Sequence, residues 1–160
     1  MERTFKIIYT SDTHGHIFPV NYAAGCGESS GLLNLAAQID KNGNTLVLDG
    51  GDSLQGTPLV QYYLAHADEF PHHPVAEAFN AMGCDYFTLG NHDFNFGYDA
   101  LRAYLCAMDG VCLCANVQDL GGALPLLPET VHTLKNGLRI GITGIVTDYV
   151  HVWKSEAKRS

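Results

Sequence analysis

The chain has 160 residues, 46% hydrophobic and 16% charged, with a formal net charge of -8. That size suits one domain with its own core, and the balance is that of an ordinary globular protein. No apolar run reaches the roughly 20 residues of a membrane-spanning helix, and no basic stripe of the kind that grips duplex nucleic acid is present.

Residues 5–9 (FKIIY) read as a strand, and residues 31–39 (GLLNLAAQI) have helical spacing with Ser29 or Ser30 as N-cap. Residues 45–48 (TLVL) are a second expected strand. Helices are expected over residues 58–67 and 74–82, each opening on a proline, the second stopped by Gly83. Residues 86–89 (YFTL) read as a third strand, residues 97–108 as a helix ended by Gly110, and residues 111–115 as a fourth strand. Residues 130–134 and 138–145 flank Lys135-Asn136-Gly137, and Asn-Gly between strand patterns signals a hairpin. The order predicts an α/β fold: a mixed β-sheet with flanking helices and a C-terminal hairpin. One domain is expected over residues 1–153, with a polar tail at 154–160.

The N-terminus lacks the long apolar stretch of a signal peptide and runs directly into a strand pattern. Read literally, this implies a cytoplasmic product. An extracytoplasmic protein whose leader had been removed would look the same. The cysteines are Cys26, Cys84, Cys106, Cys112 and Cys114. Their odd number and irregular spacing argue against a disulfide framework, and they are expected as buried or edge thiols rather than metal ligands.

Three expected strands end alike. The first runs into Ser11-Asp12-Thr13-His14-Gly15-His16, the second into Asp49-Gly50-Gly51-Asp52-Ser53, the third into Gly90-Asn91-His92-Asp93-Phe94-Asn95. Open α/β sheets place ligand sites at the carboxyl ends of their strands, so these turns can converge on one spot. Carboxylate, imidazole and amide donors together suit manganese, iron, cobalt or zinc. The spacing of Asp12 and His14 lets one turn present both side chains to one ion. Asp52 has two oxygens with which to bridge two ions, Asn91 offers a neutral oxygen, and His92 is left to face a substrate. Two ions about 3.5–4 Å apart can activate water and clamp phosphate oxygens during in-line attack. Each piece alone has an ordinary reading, as a turn or a cap. All three together, each behind a strand, point to a metal site. An acidic chain that handles phosphate draws its positive charge from such ions.

Asp12-x-His14, Gly51-Asp52 and Gly90-Asn91-His92-Asp93 resemble three of the five sequence blocks of the calcineurin-like metallophosphoesterases, in the same order. The runs SDTHGH, GGDSLQGTPL and GNHDFNFG are most similar to the branch of bacterial 5'-nucleotidases and 2',3'-cyclic phosphodiesterases. The resemblance implies part of a metallophosphoesterase sandwich, two divalent metal ions (Mn, Zn, Fe or Co) and a nucleotide substrate. It implies that Asp12 and His14 hold the first metal, that Asp52 bridges, and that Asn91 holds the second. His92 then stabilises the transition state or helps protonate the leaving group, Asp93 orients its neighbours, and His16 supports the ligands from behind. Typical 5'-nucleotidases of this group carry an acid three residues after the catalytic His, and here that position is Asn95. An amide can orient His92 but stabilises its positive charge less than a carboxylate. Asn is common there in the cyclic branch. The expected activity is therefore 2',3'-cyclic nucleotide 2'-phosphodiesterase with 3'-nucleotidase activity, and the alternative is 5'-nucleotidase or nucleotide-sugar hydrolase.

The resemblance also implies a Gly-His block and a Gly-His-x-His block downstream. After Asn95 the chain has only His132 and His151, in neither pattern, and both are expected as surface or packing residues. A substrate domain with an aromatic clamp for the base is missing too. The sequence resembles the first two-thirds of a catalytic domain. A missing C-terminal half of the same gene product is thus a candidate partner. The competing reading is a non-catalytic metal-binding fragment with an exposed apolar face. His72 and His73 read as a surface turn, and Tyr62, Tyr63, Tyr98 and Tyr104 as helix faces against the sheet. Gln55 and Thr57 either line the pocket or belong only to the loop.

Overall fold

The computed structural model describes residues 2–148, so His151 and the expected tail at 154–160 lie outside the described residues. In chain order the elements are β1 (Lys6–Thr10), the short hairpin β2 (Val20–Asn21) and β3 (Cys26–Gly27), α1 (Leu32–Ala36), β4 (Thr45–Asp49), α2 (Pro58–Ala65), α3 (Pro74–Met82), β5 (Tyr86–Phe87), α4 (Tyr98–Ala107), β6 (Val111–Leu113), β7 (Leu126–Leu127), and the hairpin β8 (Glu129–Thr133) and β9 (Arg139–Thr143). Strands β1, β4, β5, β6 and β7 lie side by side in that order, every neighbouring pair parallel. The α/β class is the expected one. Among the described residues, however, the antiparallel pairing is confined to two separate two-stranded sheets, so parallel and antiparallel strands do not mix within one sheet there. β9 turns back on β8 at Gly137, whose φ of 82° suits glycine, and so pairs locally instead of joining the central sheet.

A strand order that never reverses, joined by right-handed crossovers, leaves the helices on one face. One core accordingly joins Leu32 of α1, Val60 of α2, Phe79 of α3 and Tyr104 of α4 to Val47, Phe87 and Cys112 of the sheet, each at most 3% exposed. Burying a side chain such as Phe79 is worth roughly 1.5–3 kcal/mol. Tyr63 joins this packing, whereas Tyr62 and Tyr98, expected there too, are exposed; the Tyr98 hydroxyl reaches out to Asp119 instead.

Local signals explain α3 best. Pro74 opens it, Val75, Ala76, Ala78, Phe79 and Met82 bury one face, and Gly83 closes it in the left-handed region. Its N-cap is His73, whose ring Nδ1 accepts the Ala76 N–H at 3.4 Å. His73 is buried between the rings of Tyr63 and Tyr104, at centroid distances of 4.6 and 5.2 Å. The surface turn expected for the His pair therefore describes His72 alone. Burial pushes the His73 pKa down to about 4. α1 is only five residues long, and its N-cap is Gly31 rather than a serine, because the Ser30 hydroxyl bonds the Glu28 carboxylate.

The sheet's other face is covered in part by the C-terminal hairpin. Tyr86 Oη lies 2.9 Å from His132 Nδ1, and the hairpin turn is tied down by Lys135 N–H to Gly43 O at 2.8 Å and Asn136 Nδ2 to Thr4 O at 2.9 Å. Beside it, Phe5, just before the edge strand β1, and Ile7 and Tyr9 on it remain 46%, 47% and 64% exposed.

Candidate metal centre

β1, β4 and β5 are adjacent and parallel, so the loops after them leave the same edge of the sheet together. Main-chain bonds continue the pairing beyond the strands: Asp12 N–H donates to Gly51 O and His14 N–H to Asp52 O, both at 2.9 Å. One ligand atom each from Asp12, His14 and Asp52 then lie within 4.8 Å of one another, the one such group of His, Cys, Asp or Glu among the described residues.

Backbone strain singles out the same three. Asp12, His14 and Asp52 have φ of 54°, 47° and 58°, and among the described residues no other non-glycine has a positive φ. Each such conformation costs about 1–3 kcal/mol and persists only where its surroundings over-determine it. Here the surroundings are the loops themselves. A Cβ on Gly51 would meet Gly90 N at 2.2 Å, and one on Gly90 would meet Asp52 Oδ1 at 2.0 Å. Glycine at both positions lets the second and third loops touch.

Two buried carboxylates hold these loops. Asp93 is 1% exposed and accepts four main-chain N–H groups, from Asp52 and Ser53 at 2.9 Å, Leu54 at 3.0 Å and Gly90 at 2.9 Å. Burial pushes its pKa up, and the four donors oppose that shift. Asp49 accepts Thr10 Oγ1–H at 2.6 Å, Gly51 N–H at 2.9 Å and Ser53 Oγ–H at 3.4 Å. Burial raises its pKa to about 6. Asp49 was missed as a site residue, although it opens the second motif.

The third loop reaches the cluster through His92. Its main-chain N–H donates to Asp52 Oδ1 at 2.8 Å, and its ring stands edge-on to that of His14 with centroids 5.4 Å apart. Asn91, immediately before it, is half-buried. His14 Nδ1 lies 2.8 Å from Gln55 O, and His92 Nδ1 lies 3.2 Å from Gln55 Oε1. Asn95 is exposed and its Nδ2 donates to the same Gln55 oxygen. His16 is exposed with its ring 6.4 Å from that of Tyr22, and it does not enter the group of three. His132 is bonded to Tyr86 of β5 and does not enter the group of three.

Two carboxylates and an imidazole, with no thiolate, fit a divalent ion of the manganese, iron, cobalt or zinc class. The cysteines stay out of it: Cys84, Cys112 and Cys114 are buried, and burial pushes the Cys84 thiol up to about 12. An open cleft of about 560 Å³ beside the cluster is lined by Ser11, Asp12, Thr13, His16, Ser30 and Gln38 among others.

The family model described as calcineurin-like phosphoesterase matches residues 5–156. The chain is 31% identical, over 92% of its length, to the 2',3'-cyclic-nucleotide 2'-phosphodiesterase/3'-nucleotidase of Salmonella typhimurium. It is 30% identical, over 86% of its length, to the 5'-nucleotidase of Diplobatis ommata, and it covers 25% of each of these relatives. The crystal structure of the calcineurin-like phosphoesterase YfkN from Bacillus subtilis superposes with a TM-score of 0.79 at 30% identity, covering 94% of this chain and 50% of that one. Across the curated relatives it matches, the chain spans 11% to 26% of their length. With the match running through nearly the whole chain, this protein belongs to the calcineurin-like phosphoesterase family, which works with divalent metal ions.

Proposed function

We propose that the protein is a metal-dependent phosphoesterase acting on nucleotides, with 2',3'-cyclic nucleotide 2'-phosphodiesterase/3'-nucleotidase activity. The observation that carries this reading is the convergence of Asp12, His14 and Asp52, on strained backbone, from the ends of two adjacent parallel strands. Asp12 and His14 would hold one divalent ion, Asp52 would join two, and Asn91 would contribute an oxygen to the second. Divalent ions held there supply positive charge to the phosphate oxygens and make water a better nucleophile at neutral pH.

The chain's own residues do the rest. In a 2',3'-cyclic substrate water attacks phosphorus, the bond from phosphorus to the 2' oxygen breaks, and that oxygen gains a proton while the attacking water loses one. The product is a 3'-nucleotide, and a second attack releases phosphate. His92 has its Nδ1 turned to Gln55, which leaves Nε2 to face the phosphate and the departing oxygen. Asp93 keeps the loop that carries Asn91 and His92 against Asp52. The name of the Salmonella relative and the amide at Asn95, where 5'-nucleotidases typically carry an acid, favour the cyclic substrate over 5'-nucleotides and nucleotide sugars. The catalytic domain would occupy residues 1–153, and further chain would complete the second metal's ligands. The greater length of the relatives supports that reading.

The test compares turnover of 2',3'-cyclic AMP and 5'-AMP with manganese supplied, in the protein and its Asp52→Asn variant. Preference for the cyclic substrate, abolished in the variant, is the expected result; faster turnover of 5'-AMP overturns the substrate assignment. The second reading, a metal-binding fragment without catalysis, is favoured by the apolar strip of Phe5, Ile7 and Tyr9. A folded chain that binds manganese through Asp52 and hydrolyses neither substrate would establish it.

A further inference from the structure

Gln55 belongs to no ligand set, yet it touches both histidines of the site through different atoms. Its main-chain oxygen is 2.8 Å from His14 Nδ1, and its side-chain Oε1 is 3.2 Å from His92 Nδ1. A carbonyl oxygen only accepts, so each ring, when neutral, carries its proton on Nδ1 and presents a bare Nε2 on its other side. Asn95 Nδ2 also lies 3.0 Å from His92 Nδ1 and could donate to it if that nitrogen were bare, but a bare Nδ1 would then face the Gln55 Oε1 lone pairs at 3.2 Å with no proton between them. Both of these donors find an acceptor when His92 Nδ1–H and Asn95 Nδ2–H bond Gln55 Oε1. Asn95 then acts on His92 through Gln55, not directly.

The loop is built to hold Gln55 still. On one side Leu54 N–H is bonded to Asp93 at 3.0 Å, and on the other Thr57 Oγ1 donates to Gly15 O at 3.0 Å. Gly56 has a φ of 138°, and a Cβ there would stand 2.6 Å from His14 O and 2.7 Å from His14 Cβ. Only glycine at that position lets the Gln55 carbonyl come this close to the His14 ring.

We infer that Gln55 is the positioning residue for both histidines, setting the tautomer of His14 with its main-chain carbonyl and that of His92 with its side-chain carbonyl. The two bonds separate on mutation. Replacing the side chain cuts the tie to His92 and leaves the tie to His14 in place. Partners of this kind typically govern activity by about tenfold to 100-fold.

The kinetic consequence rests on the phosphoesterase reading, while the tautomer does not, so the decisive experiment is spectroscopic. Long-range nitrogen–proton correlation spectra would be recorded at alkaline pH on metal-free protein with labelled histidine. His14 and His92 should both show the proton on Nδ1. In Gln55→Leu, His92 should shift toward the Nε2–H form and His14 should stay unchanged. In Gln55→Glu, which keeps an acceptor, both should stay. With 2',3'-cyclic AMP, Gln55→Leu should lower kcat by about tenfold to 100-fold with KM and manganese content unchanged, and Gln55→Glu should restore part of it. A His92 that keeps Nδ1–H in Gln55→Leu and loses it in Asn95→Ala overturns the inference, because Asn95 is then the acceptor. Wild-type protein with the expected tautomers but no turnover contradicts catalysis by this chain alone and upholds the positioning role.

Discussion

The carboxylate of Asp93 accepts the main-chain N–H of Asp52 at 2.9 Å across 41 positions of sequence. The strained backbone of Asp52, with a φ of 58°, is thus held by a residue of a different loop. Both Asp93 oxygens are spent on main-chain donors, so Asp93 shapes the centre through the backbone.

Asp93→Asn should therefore damage stability and metal binding together. An amide has one oxygen for four N–H groups, and its own NH2 would face donors. The expected loss is about 3 kcal/mol, read from urea unfolding, with weaker manganese binding by calorimetry. An unfolding midpoint equal to wild type would show that the four bonds hold nothing.

Gly90→Ala tests the contact between the second and third loops. Its Cβ would lie 2.0 Å from Asp52 Oδ1 and 2.4 Å from Asp52 N, so Asp52 must move. Overpacking of this kind costs typically about 1–3 kcal/mol. Manganese affinity should fall in a variant that remains folded by circular dichroism. Unchanged affinity would mean that the position of Asp52 matters little to the ion.

Asp49 and His73 should pull stability in opposite directions with pH. The folded pKa of Asp49 is raised from 3.8 to about 6, so its contribution is fully present below pH 3.8 and is lost as pH rises through about 6. The folded pKa of His73 is lowered from 6.5 to about 4, so its contribution is present above pH 6.5 and is lost as pH falls through about 4. Each amounts to about 3 kcal/mol over its window. Relative to wild type, Asp49→Asn should lose about 3 kcal/mol of stability on acidification from pH 6.5 to 4. His73→Asn, which keeps a capping acceptor, should gain a similar amount over the same range. Guanidinium titrations of metal-free protein at several pH values measure both, and curves that run parallel to wild type would refute the pair.

The strip on β1 should behave as surface in the isolated chain. Ile7→Ser with Tyr9→Ser should change the unfolding free energy by no more than about 1 kcal/mol, while lowering binding of a hydrophobic dye. A large loss of stability would mean that the strip is packed in solution.

Several features were legible because their signals are local. α3 spans residues 74–82 as expected, set by a proline, an apolar stripe and a glycine within one short window. The hairpin of β8 and β9 follows from Asn136-Gly137. The short pairs β2–β3 and the two-residue β7, flanked by Pro125 and Pro128, escaped notice because neither carries an alternating pattern long enough to read. Tyr62 and Tyr63 show the limit of composition. Adjacent on α2, they point to different sides of the helix, and only Tyr63 is buried.

By itself the sequence determined which donor types stand behind the strands and in which order, because a strand followed by glycine and acidic or imidazole side chains is a contiguous pattern. Only the tertiary structure decided what holds those donors. Gln55 meets His14 and His92 across 41 and 37 positions, and His73 is buried by tyrosines from two helices. Such contacts depend on strand order and on how closely glycine lets two loops approach. A pattern that extends only a few residues along the chain does not record those distances.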